Sequence, residues 1–180
     1  MRIFDVGWGL SMILDIKKYP DEVLRKKSIL IDNIDEEILT LLDNMAETMY
    51  KAPGVGLAAP QVGINKRAVV IDVSGANERT ALLKLINPEI IRAEGEVVGE
   101  EGCLSLPLEY ADVKRSEFVT AKYIDIDGNE KIIDADGLLA RALQHEIDHL
   151  EGILFIDRLS PLKREFVKKR IKKRIANGDF

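Results

Sequence analysis

Two histidines and a glutamate lie close together in the sequence and could hold and use a metal ion. The chain has only two histidines, His145 and His149, and Glu146 directly follows the first of them. On an α-helix, residues four apart lie one above the other, so both imidazoles can bind one ion. Glu146 would lie about 60° around the helix from His149, beside the ion but not on it. A general base for hydrolysis needs that position, so this H-E-x-x-H pattern predicts a metal-dependent hydrolase.

The third ligand of such a site must come from another part of the chain. An extended zinc-protease motif would place a third histidine three residues beyond Gly152, but that residue is Phe155. Carboxylates downstream of the helix are few: Asp157, Glu165 and Asp179. The single cysteine, Cys103, becomes a candidate because a Cys/His/His set leaves a fourth position open, as catalytic sites require. Alternatively, Cys103 is a small buried apolar residue and the two histidines belong to an ordinary core helix.

Composition and charge limit the class of protein. A chain of 180 residues with 46% hydrophobic and 32% charged residues fits one globular domain. One cysteine excludes a disulfide framework and suits a reducing compartment, so we expect a cytoplasmic protein. The longest stretch without a charge, residues 52–65, has two prolines among its 14 residues and is too short to span a bilayer.

The spacing of apolar residues predicts an α+β fold, with mixed or antiparallel strands around one buried metal-binding helix and a further helix at the C-terminus. Helices are predicted over residues 35–51, with Asp35 as N-cap, and over residues 137–151, capped by Asp136 and ended by Gly152. Strands are predicted at residues 67–73, 81–87, 89–99 and within 113–127. The pair Asp127-Gly128 predicts a hairpin turn.

Three segments are expected along the chain. Residues 1–11 form an N-terminal extension outside the core, residues 12–160 the catalytic domain, and residues 161–180 a basic C-terminal helix and tail. The last segment holds eight Lys and Arg against two acidic residues, a charge of +6 that leaves −11 for the rest of a chain whose net charge is −5. A basic tail on an acidic body predicts a polyanionic partner, although a solvated charged helix has the same composition.

The glycine-rich stretch at residues 54–59, G-V-G-L-A-A, matches a dinucleotide-binding fingerprint. That motif requires a strand before it and a helix after it. Here a predicted helix precedes the glycines and Pro60 follows them, so we reject a nucleotide site. Glycines can instead let the backbone approach a ligand closely.

Three motifs, taken together and in this order, resemble the peptide deformylase family. They are G-V-G-L-A-A-P-Q at residues 54–61, E-G-C-L-S at 101–105 and Q-H-E-I-D-H-L at 144–150. The resemblance covers residues 12–159, and the long helical C-terminus is similar to the type-1 bacterial branch. It implies removal of the formyl group from the N-terminal formyl-methionine of newly synthesised polypeptides, with release of formate. It also implies one divalent ion, most commonly Fe²⁺ in this family, with Zn²⁺, Ni²⁺ or Co²⁺ as substitutes.

The resemblance further implies a role for each site residue. The metal ligands would be Cys103, His145 and His149. Glu146 would act as general acid and base, while Gln61 and the backbone N–H of Leu104 would stabilise the oxyanion of the reaction.

Substrate contacts are predicted from the positions around these motifs. Backbone near Val55 and Gly56 could pair with an extended peptide as an added strand. Leu138 and Ala142 lie on the helix face that carries the two histidines and could line a pocket for the methionine side chain. Ordinary core packing is the alternative for both.

Two other functions stay open on the sequence. A zinc endopeptidase could use the same helix with a carboxylate as third ligand, and replacing Cys103 by Ala would then leave metal and activity intact. An RNA-binding module could dock through residues 162–175, and the family resemblance connects this basic helix with the ribosome. No membrane and no DNA partner is expected.

Overall fold

Three α-helices and seven strands make up the part of the chain that the computed structural model describes, residues 12–74 and 78–178. The helices are α1 (Glu36–Lys51), α2 (Gly137–Leu150) and α3 (Pro161–Asn177). The strands are β1 (Gly56–Ala58), β2 (Ala68–Ile71), β3 (Leu83–Glu94), β4 (Val97–Cys103), β5 (Leu106–Arg115), β6 (Phe118–Ile124) and β7 (Glu130–Ala135). The predicted N-terminal extension, residues 1–11, lies outside the described residues.

Five strands form one antiparallel sheet, in the order β1-β2-β3-β6-β7, and β4 pairs with β5 in a separate antiparallel sheet. The first sheet lies between α1 and α2. Alternating side chains of β2 show this, because Val69 and Ile71 pack in the cluster that contains α2 and Ala68 and Val70 in the cluster that contains α1. The predicted α+β fold around one buried helix is confirmed.

The helix α1 begins where the sequence predicts it. The Asp35 carboxylate accepts a hydrogen bond from the Ile38 N–H at 3.0 Å, which satisfies one of the free N–H groups of the first turn. The core face of the helix is fully buried through Leu42, Met45 and Met49. This face anchors α1 on the sheet.

The helix α2 differs slightly from its prediction at both ends. Asp136 occupies the N-cap position, but its side chain makes no cap hydrogen bond, and only its carbonyl accepts from Ala140 N–H. The helix ends at Leu150, one residue earlier than predicted. Gly152 follows with φ +72°, and a Cβ there would lie 2.5 Å from the Arg25 carbonyl oxygen, so only glycine fits.

The strand predictions need three corrections. The segments 81–87 and 89–99 were expected to be separate strands, but β3 continues through Asn87 and Pro88, where a shift of pairing register against β6 absorbs the irregular backbone. The predicted segment 113–127 contains the end of β5 and all of β6. Most of β5 was missed, because its charged and polar residues interrupt the apolar alternation. The hairpin at Asp127-Gly128 is confirmed by the pairing of β6 with β7.

A third apolar cluster joins the small sheet to the C-terminal helix. Leu106 and Val113 of β5 pack with Phe155 and with Val167 and Ile171 of α3. The C-terminal helix is therefore seated on the strand that follows Cys103. No helix in the described ranges is long and apolar enough to cross a membrane.

Candidate metal centre and active site

The helix α2 presents His145 and Glu146 to one cavity and holds His149 directly behind them. His145, Glu146 and His149 are all buried, and the imidazole centroids of the two histidines lie 5.0 Å apart. The spacing of four residues brings the two rings together on one face, as the sequence predicts. Burial on the sheet holds the helix, and therefore both rings, in place.

Cys103 reaches the two histidines from the other sheet. It is the last residue of β4, where a shift of register between Gly102 and Cys103 precedes the tight turn into β5. Its Sγ lies 3.2 Å from His149 Nε2, and one ligand atom each from Cys103, His145 and His149 lies within 4.8 Å of the others. This is the one group of three such ligands found among the described residues. The carboxylate-ligated endopeptidase site therefore has no counterpart there.

The histidines are oriented as metal ligands. His145 Nδ1–H donates to Glu101 Oε2 at 2.9 Å, which leaves its Nε2 free to bind an ion. Burial alone would lower the pKa of His145, but its hydrogen bonds with Cys103 and Glu101 raise that pKa well above the ordinary value, so binding of an ion at Nε2 would displace a proton. Burial lowers the pKa of His149, so this ring is neutral, the form that binds metals.

A buried charge network supports the ligands from behind. Arg115 donates to both carboxylate oxygens of Glu101, at 2.8 and 2.9 Å, and a third N–H reaches Asp148 at 2.5 Å. Arg141 donates to Glu101 at 2.8 Å as well. Burial alone would raise the pKa of Glu101, yet the hydrogen bonds from Arg115 and His145 lower it to about 2. Glu101 therefore stays ionised and holds the His145 ring.

The sequence analysis does not predict this network. Glu101 and Asp148 lie within two of the sequence motifs without a predicted role, and Arg115 lies outside all three motifs. The one available signal is that Glu101 lies two residues before Cys103, because a carboxylate so close to a ligand is a candidate partner for a second ligand. Arg115 is 14 residues further along and pairs with Val97, not with Glu101, in the β4–β5 ladder, so only the folded positions of the two long side chains bring them together.

Glu146 is placed for proton transfer beside the ligand cluster. Its side chain is buried, its Oε2 has no hydrogen-bond partner within the described ranges, and burial raises its pKa to about 7. Strand β1 passes so close that a Cβ on Gly56 would lie 2.4 Å from Glu146 Oε1. Glycine at position 56 therefore makes room for the carboxylate.

Gln61 is held with its amide NH₂ toward the cluster. Its Oε1 accepts from the Ala58 N–H at 2.9 Å, so the amide cannot rotate freely. Its Nε2 donates to Ser105 Oγ at 3.2 Å and lies 3.6 Å from Cys103 Sγ. The side chain is 1% exposed, which makes it a fixed hydrogen-bond donor in a site sheltered from water.

The cluster opens into a cavity of about 450 Å³. The ten residues that the sequence singles out surround it or contribute to it, and nine of them line it directly; the tenth, His149, lies behind them against Cys103. Leu138 is 52% exposed and lines the mouth, so ordinary core packing does not describe it, whereas Ala142 is buried in the wall. Val55 and Gly56 also line the cavity, at the start of β1, which is one of the two edge strands of the large sheet.

Known proteins resemble this chain over nearly its whole length. The family model described as polypeptide deformylase matches residues 13–165. A peptide deformylase of Thermodesulfovibrio yellowstonii is 58% identical over 160 residues, which cover 89% of this chain and 97% of the relative. A crystal structure of a peptide deformylase from Legionella pneumophila superposes with a TM-score of 0.86 at 45% identity, covering 92% of this chain and 97% of that chain. The Synechococcus elongatus peptide deformylase, crystallised with actinonin, gives 0.83 at 45% identity, covering 87% and 86%.

Proposed function

Since the chain belongs to the polypeptide deformylase family, we propose that Cys103, His145 and His149 hold one divalent metal ion for the family's reaction. That reaction is hydrolysis of the formyl amide on the N-terminal formyl-methionine of newly synthesised polypeptides, with release of formate. One observation carries the assignment: the thiol and both imidazoles converge within 4.8 Å, beside the buried carboxylate of Glu146.

The donor set suits a small divalent ion with an open coordination position. One thiolate and two imidazoles match the preferences of Zn²⁺ and of other first-row ions. We assign Fe²⁺ as the native ion from the family resemblance, with Zn²⁺, Ni²⁺ or Co²⁺ as substitutes. The hydrogen bond from His145 Nδ1–H to Glu101 supports this ligand set, because it directs the other ring nitrogen toward Cys103 and His149.

Glu146 carries the proton between the two halves of the reaction. Cys103, His145 and His149 would hold the ion, which would supply Lewis acidity toward the formyl carbonyl and a nearby water. The Glu146 carboxylate takes a proton from the attacking water as the new C–O bond forms at the formyl carbon. It then delivers that proton to the methionine nitrogen as the C–N bond breaks, so formate and a free amine leave.

Gln61 and Leu104 stabilise the negative oxygen that develops on the formyl group. The orientation of the Gln61 amide supports this role, since its oxygen is occupied by Ala58 and its NH₂ points at the cluster. Leu104 directly follows Cys103 in the turn between β4 and β5, so its N–H lies within one peptide unit of a metal ligand. Donors held rigidly in this way need no reorganisation during the reaction.

The cavity walls suggest how a peptide is held. The backbone at Val55 and Gly56 forms the outer edge of the large sheet, and an extended substrate can add there as a further strand. Leu138 and Ala142 offer an apolar surface on the His145 side, where the methionine side chain would lie. Main-chain pairing would explain acceptance of many sequences after the first residue.

The basic helix α3 is the proposed contact to the ribosome, and cytoplasmic ribosomes are where such substrates arise. Lys169 and Lys173 lie one turn apart and exposed, on the side of the helix away from Val167 and Ile171. Within this assignment residues 12–160 supply the catalytic groups and residues 161–180 the partner surface. Replacing both lysines by Glu should weaken ribosome binding in a salt-dependent manner. Unchanged ribosome binding would mean that these lysines of α3 do not contact the ribosome.

Formate release from a short formyl-methionyl peptide tests the proposal. The protein is prepared without oxygen and loaded separately with Fe²⁺ and Zn²⁺. Rapid release with Fe²⁺ and slow release with Zn²⁺ is the expected result and would identify both reaction and native ion. Folded, metal-loaded protein that releases no formate with either ion would refute the assignment.

A further inference from the structure

A buried carboxylate behind the cavity wall is held by two arginines of the C-terminal helix. Glu109 of β5 is only 1% exposed. Arg170 donates to its Oε2 from Nε at 3.0 Å and from Nη2 at 2.7 Å, while Arg174 Nη1 lies 3.3 Å from its Oε1. A buried charge is tolerated only when it is paired, so these arginines fix where Glu109 can be.

Arg174 also holds the backbone of the same segment. Its Nη1 donates to the Leu108 carbonyl at 2.9 Å and reaches the Pro107 carbonyl at 3.4 Å. Leu108 has φ +64°, a left-handed conformation that a leucine adopts only when its surroundings enforce it. The helix therefore determines both the side-chain and the backbone geometry of residues 107–109.

The same segment is part of the cavity wall. Along β5, Leu108 and Tyr110 are exposed and line the cavity. Glu109 between them also contributes to the lining, but its carboxylate is bound by Arg170 and Arg174 of the helix. Leu108 is 64% exposed and Tyr110 60% exposed. The Tyr110 ring also covers Gly102, next to Cys103, so closely that a Cβ there would lie 2.6 Å from the ring.

We infer that Arg170 and Arg174 are positioning residues for the substrate: through Glu109 they set the wall of Leu108 and Tyr110, which receives the residues after the formyl-methionine. The inference rests on the proposed deformylase function. Without the arginines, Glu109 must move toward water to stay charged, and the wall moves with it. Leucine and tyrosine on the wall favour apolar side chains in that part of the substrate.

Substrate length separates this role from a general structural one. The double variant R170A/R174A is compared with the wild type on formyl-methionine amide and on a formyl-methionyl tripeptide with an apolar third residue. We expect KM for the tripeptide to rise about fivefold with kcat unchanged, because only binding beyond the first residue is lost. Both constants for the amide should stay at wild-type values. Arg174→Lys, tested in the Arg170→Ala background, should restore part of the tripeptide KM.

The matched control removes two charges from α3 without changing Glu109, Arg170 or Arg174. Lys163 and Lys172 are exposed and have no ion pair with any of the described residues, so K163A/K172A should keep wild-type constants on both substrates. Glu109→Gln keeps the shape of the side chain and leaves no buried negative charge at position 109. It therefore tests the ion pairs of Glu109 with Arg170 and Arg174 even if the arginine variants unfold. It should raise the tripeptide KM about twofold.

Two results would overturn the inference while leaving the proposed function intact. One is a Glu109→Gln enzyme whose tripeptide KM equals that of the wild type. The other is an equal loss on the amide and on the tripeptide in folded R170A/R174A protein, which would mean that α3 only stabilises the fold. Failure of the wild type on both substrates would instead refute the proposed function itself.

Discussion

The Glu101 carboxylate pairs with basic side chains of both the metal-binding helix and the small sheet. Glu101→Gln should therefore weaken both the stability of the fold and metal binding. The carboxylate is 4% exposed and pairs with Arg115, Arg141 and His145. Glutamine has nearly the same shape as the protonated acid. The variant therefore removes the negative charge without leaving a cavity, although its NH₂ group also opposes the His145 N–H.

The structure supplies the size of the effect. The partners lower the pKa of Glu101 from an ordinary 4.5 to about 2. A difference of this size corresponds to roughly 3 kcal/mol between the ionised and the protonated protein. That is similar to the cost of about 3–5 kcal/mol for removing one partner of a buried ion pair. Loss of the His145 hydrogen bond should also reduce metal affinity about 10- to 100-fold.

The measurement is urea unfolding of metal-free protein, wild type against variant, between pH 7 and pH 2. Because the pKa of Glu101 is lowered by folding, its contribution is complete above pH 4.5 and is lost as the pH falls toward 2. The free-energy gap between wild type and Glu101→Gln should therefore be about 3 kcal/mol at pH 7 and close over that interval. Metal affinity is measured in parallel by competition with a chelator.

Glu96→Gln, at the residue directly before β4, is the matched control. Glu96 pairs with Lys114 at 2.8 Å, but both side chains are at least 60% exposed, and such pairs contribute about 0–1 kcal/mol. A gap for Glu101→Gln no larger than that of the control, or a gap that does not change with pH, would refute the reasoning.

Three further predictions concern the site and the core. Glu146→Gln should lower kcat about 10²- to 10⁴-fold because the proton carrier is lost, while metal content measured by elemental analysis stays unchanged; a near-normal kcat would remove Glu146 from the mechanism. Cys103→Ala should lose bound metal and formate release together. Full metal content in that variant would mean that another residue is the third ligand. Leu143→Ala, at a fully buried position facing the sheet, should lower the free energy of unfolding by about 2–5 kcal/mol in denaturant titrations, and a loss below 1 kcal/mol would contradict the packing described.

The amino-acid sequence by itself determined the features that depend on neighbouring residues. Helical periodicity places His145, Glu146 and His149 correctly, because residues within one or two turns are related by backbone geometry alone. The same local logic explains the Asp35 cap and the Asp127-Gly128 hairpin. The three motifs also sufficed to predict the family, which the comparisons confirm.

Only the tertiary structure decided how distant groups combine. Glu101, Arg115 and Asp148 become one buried network because the β4–β5 pair packs against α2, and no periodicity in the chain records that packing. Glu109 meets Arg170 across 61 residues for the same reason. A sequence pattern predicts that charged residues face the solvent, so it does not identify charged residues that are buried in ion pairs. Their partners are set by the packing of whole elements, which sums many weak contacts over the entire domain.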